Sequence, residues 1–131
     1  MGIALEVILR ALFGAEDDAE RERLAAAVRN FVHGFSHPLW LTTALFGLPA
    51  PPVGPWARFR KAKADLDALV FGLIDSRRAD PAGRADVLTA FATATYPDGS
   101  VMTRAALRDN LVTYLLAGHE TSAMSPTWAL Y

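Results

Sequence analysis

Between Trp56 and Arg78 the chain sets Phe59, Ala62, Leu66, Leu69, Val70, Leu73 and Ile74 three or four positions apart or side by side. That spacing follows the α-helical period and collects the apolar side chains on one face. Sustained over about six turns, it is far longer than a strand. The same period recurs elsewhere and no segment alternates apolar and polar residues in the manner of a strand, so the chain reads as all-α.

Local signals divide it further. A first helix is expected over Ile3–Phe13, apolar on most sides, with Gly14 able to cap it. A second begins after Asp17 and Asp18, carries Leu24, Val28, Phe31, Val32 and Phe35 on one stripe, and stops at Pro38. Leu39–Gly47 is a short apolar piece. Leu48–Pro55 then holds four of the eight prolines and reads as a rigid loop before the long helix. After Asp80-Pro81, a shorter helix is expected over Asp86–Thr95, followed by the turn Tyr96-Pro-Asp-Gly-Ser. Thr103 can cap a final helix running towards Tyr131, roughly 40 Å long at 1.5 Å per residue.

The chain of 131 residues is one domain's worth of polypeptide. Its formal net charge of −1 gives no reason to expect nucleic acid or an anionic membrane as partner. With no cysteine it has no disulfide, no thiolate nucleophile and no thiolate metal ligand. The N-terminal run contains Glu6 and Arg10 within its apolar part and lacks a basic leader, so it reads as a helix and not a targeting segment. Leu111–Gly118, the purest apolar run, is bounded by Asp109-Asn110 and His119-Glu120, too short to cross a bilayer. A cytoplasmic location is the expectation.

The chemistry concentrates in LLAGHETSA, residues 115–123. A glycine inside a helix costs about 1 kcal/mol against alanine, and an unpaired buried carboxylate costs more. Residues three and four apart stack on a helix, so Thr113, Leu116, Ala117, Glu120 and Thr121 share one broad face of small and polar groups. Gly118 would thin the helix wall so that a flat or bulky ligand could approach its backbone. The Thr121 hydroxyl and the Glu120 carboxyl on adjacent positions make a compact proton relay.

Ala117-Gly118-His119-Glu120-Thr121-Ser122 resembles the oxygen-activation motif of the cytochrome P-450 family, Ala/Gly-Gly-x-Asp/Glu-Thr-Thr/Ser. Leu107–Val112 before it and Trp128–Tyr131 after it resemble the same long central helix of bacterial members. EVILRALFG, the proline-rich loop, the helix from Trp56 and the DPAGRADVL segment resemble the stretch leading into it, so the likeness covers nearly all residues 1–131 as a partial domain.

The resemblance implies an all-α fragment of the cytochrome P-450 fold with its central helix at the C-terminus. It also implies heme as cofactor, dioxygen and an apolar organic molecule as substrates, and a ferredoxin- or flavin-type redox partner. It places Ala117 and Gly118 against the porphyrin and bound dioxygen, Thr121 as hydrogen-bond donor to that dioxygen, and Glu120 as a carrier of protons inward. Thr113, Leu116 and Ala117 would line the substrate pocket, and the proline-rich loop with its flanking helices would cover the substrate entrance. Family members hold the iron through a cysteine thiolate beyond the central helix, and this chain has none. By itself it is expected to lack the proximal half of the pocket and to be inactive. Glu20 and Arg23 match the family's Glu-x-x-Arg spacing but precede the motif, and the match is read as chance. Pro126 should kink the helix after the motif.

Other readings are weaker. His119-Glu120 opens a zinc-protease pattern that Ala123 breaks. His33 and His37 lie four apart, but Pro38 disfavours helical geometry at His37 and no third ligand is in view. The cluster Arg58–Lys63 is followed by Asp65 and Asp67 and reads as a solvated helix face. Phe31, Phe35, Phe59 and Phe71 read as core or interface residues. The alternative from another class is a heme-free helical interaction or oligomerisation module. In the isolated chain the final helix lacks the partners of a longer parent, so exposed leucines are expected to favour association or partial disorder.

Overall fold

The computed structural model describes residues 3–15, 17–35, 43, 45–49, 53–82 and 84–129, and for residues 3–4, 35 and 119–129 it gives the helix path alone. Five helices occur among the described residues: α1 (Ile3–Phe13), α2 (Asp18–Phe35), α3 (Pro55–Ala79), α4 (Val87–Thr93) and α5 (Arg104–Ala129). The fold is all-α, as the periodicity requires. Pro38, most of the Leu39–Gly47 piece and residues 50–52 of the proline-rich loop lie outside the described residues.

The helix ends follow from side-chain chemistry. Gly14, at φ +58°, closes α1 by donating its N–H to the Arg10 carbonyl at 2.9 Å. The Asp17 carboxylate accepts the Glu20 N–H at 3.0 Å and starts α2. Pro55 opens α3, where a missing N–H costs nothing. Asp86 caps α4 by accepting the Thr89 N–H at 2.6 Å, and the Thr103 hydroxyl accepts the Ala106 N–H at 3.2 Å to open α5.

The expected helix Asp86–Thr95 ends earlier, at Thr93. Ala94 turns extended, and Thr95 pairs with Val101 in an isolated antiparallel bridge. The turn between them is fastened by Tyr96 N–H donating to the Ser100 carbonyl at 2.7 Å and by the Asp98 carboxylate accepting from the Ser100 N–H at 2.9 Å. Those bonds outcompete another half-turn of helix.

Leu5, Leu9 and Phe13 of α1, Leu24, Val28 and Phe31 of α2, Leu66, Val70 and Ile74 of α3, Leu88 of α4 and Leu107, Leu111 and Leu115 of α5 converge in one core. Each such side chain contributes about 1.5–3 kcal/mol when taken out of water, so the converging stripes and not helix propensity hold the assembly. Phe31 and Phe59 stack at 5.5 Å between centroids and join α2 to α3, as the core reading of these aromatics expects. Phe71 is only partly buried, and the Arg104 guanidinium lies 4.2 Å above its ring. Arg58, Arg60, Lys61 and Lys63 are exposed, with Lys61 paired to Asp65 at 2.7 Å and Lys63 to Asp67 at 2.8 Å, a solvated face.

The leucines of the final helix differ from expectation. Leu107, Leu111 and Leu115 are fully buried and Leu116 is partly so, because α1 lies along this side of α5. No described helix is long and apolar enough to cross a membrane.

Candidate functional site

The residues singled out by the motif ride on α5, a helix of 26 residues. Its capped start and its buried stripe fix how it is rotated: with Leu107, Leu111 and Leu115 turned to the core, Thr113 and Ala117 are turned out. Leu116 packs at the edge of the core, and Tyr114, 47% exposed, stacks on Phe91 of α4 at 6.0 Å. Positions 120 and 121 continue the line of 113, 116 and 117 one turn on, along the helix path. The helix runs through Pro126 to Ala129.

Thr113 donates its hydroxyl proton to the Asp109 carbonyl at 2.8 Å. Its hydrogen-bonding capacity is thus turned back onto the helix. Beside it the small Ala117 leaves a low surface. Gly118 is bordered by α1: a Cβ built there would lie 3.2 Å from Ile8 Cδ1.

Two ion-pair systems brace α5 against α3. Arg108 pairs with Asp67, its Nε at 2.7 Å from Oδ1, and with Asp109 at 2.6 Å. Partial burial pulls the Asp67 pKa upward, but hydrogen bonds from Lys63 and Arg108 outweigh it and hold the carboxyl below the usual range. Arg108 is weakened by its own burial and strengthened more by Asp109 and Asp67, so its pKa rises. One helical turn earlier, Arg104 grips Asp75 with two bonds of 2.9 and 2.6 Å.

The helices flanking the proline-rich loop enclose a cleft of about 360 Å³, lined among others by Asn30, His33, Gly34, Arg58, Lys61 and Asp65. Gly34 lets α3 come close, for a Cβ there would lie 3.2 Å from Phe59 Cδ2. His37 lies outside the described residues, and among those described no three metal-ligating side chains cluster.

Two features escaped the sequence reading. Arg77, in the last turn of α3, is 2% exposed and pairs with the helix cap Asp86, and its charge gives no sign of that burial. Ile8 shows no signal of its own; only its contact with Gly118 marks it.

The family model described as "Cytochrome P450" matches residues 2–131, practically the whole chain. The chain belongs to the cytochrome P450 family. Among curated relatives, "Putative cytochrome P450 135B1" of Mycobacterium bovis is 41% identical over 130 residues, covering 98% of this chain and 27% of the relative. "Putative cytochrome P450 138" of Mycobacterium tuberculosis is 38% identical over 138 residues, covering 98% of the chain and 29% of the relative. "Putative cytochrome P450 137" of the same species is 36% identical over 130 residues, covering 97% and 27%. This P450 chain therefore spans less than a third of the length of these relatives. No solved structure matches it significantly.

Proposed function

We propose that this chain is the distal-side segment of a heme-dependent monooxygenase that inserts one oxygen atom into an apolar organic substrate. The observation that carries the reading is the rotation of α5. The helix spends its leucine stripe on α1 and keeps the small-residue face of Thr113 and Ala117 open to a partner. A planar, largely apolar group such as heme fits a surface that carries no large side chain at Ala117 and no outward-pointing proton at Thr113. When bound, heme supplies the activation of dioxygen, while the protein supplies position and protons.

In this reading Ala117 borders the porphyrin, Gly118 lies next to it with the side a Cβ would take packed against α1, and Thr113 and Leu116 shape the apolar substrate space. Thr121 offers a hydroxyl proton and Glu120 relays protons from solvent to it, a pairing suited to general acid catalysis. The loop and helices around the α2–α3 cleft cover the substrate entrance and bear on substrate choice. A ferredoxin- or flavin-type donor supplies electrons, and a cytoplasmic site of action belongs to the same reading. Without cysteine the chain holds no thiolate for the iron, so alone it is inactive.

The test is a chimera in which this chain replaces the matching segment of the Mycobacterium tuberculosis relative. The reduced, carbon-monoxide-bound spectrum of the chimera should show the red-shifted band of thiolate-ligated heme, and that of the isolated chain should not. A folded chimera that takes up no heme would end the proposal.

A further inference from the structure

Gly118 lies well inside α5 with no left-handed backbone to justify a glycine, and a helix interior favours alanine there. Its nearest foreign neighbours explain it. A Cβ on residue 118 would sit 3.2 Å from Ile8 Cδ1 and 3.6 Å from Ile8 Cγ1, the first tighter than ordinary van der Waals contact. Gly72, the interior glycine of α3, has nothing within 4 Å of the same position. Space at Gly118 is thus taken up by α1.

α1 is itself a fixed support. Leu5, Leu9 and Phe13 anchor it in the core, and the buried Arg77 donates to the Phe13 carbonyl at 2.8 Å, tying its C-terminal end to α3. Ile8 stands between those anchors, and its tip meets α5 within the turn that bears Ala117, Glu120 and Thr121.

We propose that Ile8 is a positioning residue: seated in the gap left by the absent Gly118 side chain, it sets how far the motif turn of α5 stands from α1. Ile8 acts through Gly118, the residue its tip approaches. The catalytic meaning of that positioning rests on the proposed function above, but the contact does not involve heme.

The experiment uses the full chain with Gly118→Ala, Ile8→Val and the double variant, read by thermal melting and residue-resolved amide hydrogen exchange. Ile8→Val deletes Cδ1, the atom at 3.2 Å, and leaves the contact at 3.6 Å, which is ordinary. Gly118→Ala alone should lower the melting midpoint and speed exchange at amides 118–122 about tenfold more than at 107–112. In the Ile8→Val background the same change should raise the midpoint, as alanine does in an unobstructed helix, and exchange at 118–122 should slow again. If Gly118→Ala proves too damaging to fold, recovery of folding in the double variant supports the proposal and failure to recover overturns it. Equal effects of Gly118→Ala in both backgrounds, or uniform acceleration along α5, also overturn it. None of these results bears on heme uptake by the chimera, so failure here and failure of the proposed function are distinguishable.

Discussion

Arg77 and Asp86 face each other inside the core, Nε to Oδ2 at 3.4 Å, both nearly sealed from water. Arg77 also donates to the Phe13 carbonyl, and Asp86 also caps α4, so one ion pair joins the ends of α1 and α3 to the start of α4. A buried pair contributes little over an apolar replacement, but losing one partner strands the other charge. Arg77→Leu should therefore cost about 3 kcal/mol or more in urea unfolding. Adding Asp86→Ser, which keeps a capping oxygen and removes the stranded carboxylate, should recover a large part of that loss.

Gly14 touches the same node. Its φ of +58° disfavours any side chain, and a Cβ there would lie 2.4 Å from Asp86 Oδ2. Gly14→Ala should destabilise the chain by about 2 kcal/mol or more, strain and displacement adding.

Gly34 and Gly72 are both helical glycines and should respond in opposite directions. A Cβ at Gly34 would lie 3.2 Å from Phe59 Cδ2, on a ring already stacked against Phe31, so Gly34→Ala should lower stability. At Gly72 the space is open, and Gly72→Ala should raise stability by about 0.5–1 kcal/mol. Melting midpoints of the two variants check the contrast.

Asp67 sets an acid dependence. Its pKa is lower folded than the ordinary 3.8, so the stability it contributes is fully present above that value and is lost as pH falls through the folded pKa. Below about pH 4 the unfolding midpoint should fall less steeply in Asp67→Asn than in the unchanged chain, while near neutral pH the variant should be the less stable of the two.

Much of this was legible in the sequence because it depends on local rules. The boundaries of α1, the helix starts at Asp17 and Thr103, and the core stripe Leu24, Val28 and Phe31 follow from spacing and capping chemistry. From sequence the leucines of the final helix, Leu111 and Leu115 among them, are expected to be exposed, since nothing local says that α1, about a hundred residues earlier, lies along them. The same distance hid Ile8 and the buried role of Arg77, whose bond to Phe13 spans 64 positions. Thr93 ended α4 early because a bridge formed by the following turn is a pairing that helical periodicity does not encode. For the motif the sequence offers a resemblance, and what the fold adds is the outward turn of Thr113 and Ala117 relative to the core.

If Thr121 delivers a proton as proposed, Thr121→Ala in the chimera, supplied with an electron donor, should raise the hydrogen peroxide released per dioxygen consumed several-fold. An unchanged ratio would remove Thr121 from the relay.

The central claim is that the open face of α5 borders the heme, and Ala117→Phe tests it most directly. Ala117 is exposed, so the substitution should leave the melting midpoint of the isolated chain within a degree or two. In the heme-bearing chimera the added ring would crowd the face proposed to hold the heme, and carbon monoxide affinity should fall at least tenfold. Unchanged carbon monoxide affinity in a folded, heme-loaded Ala117→Phe chimera would contradict the account.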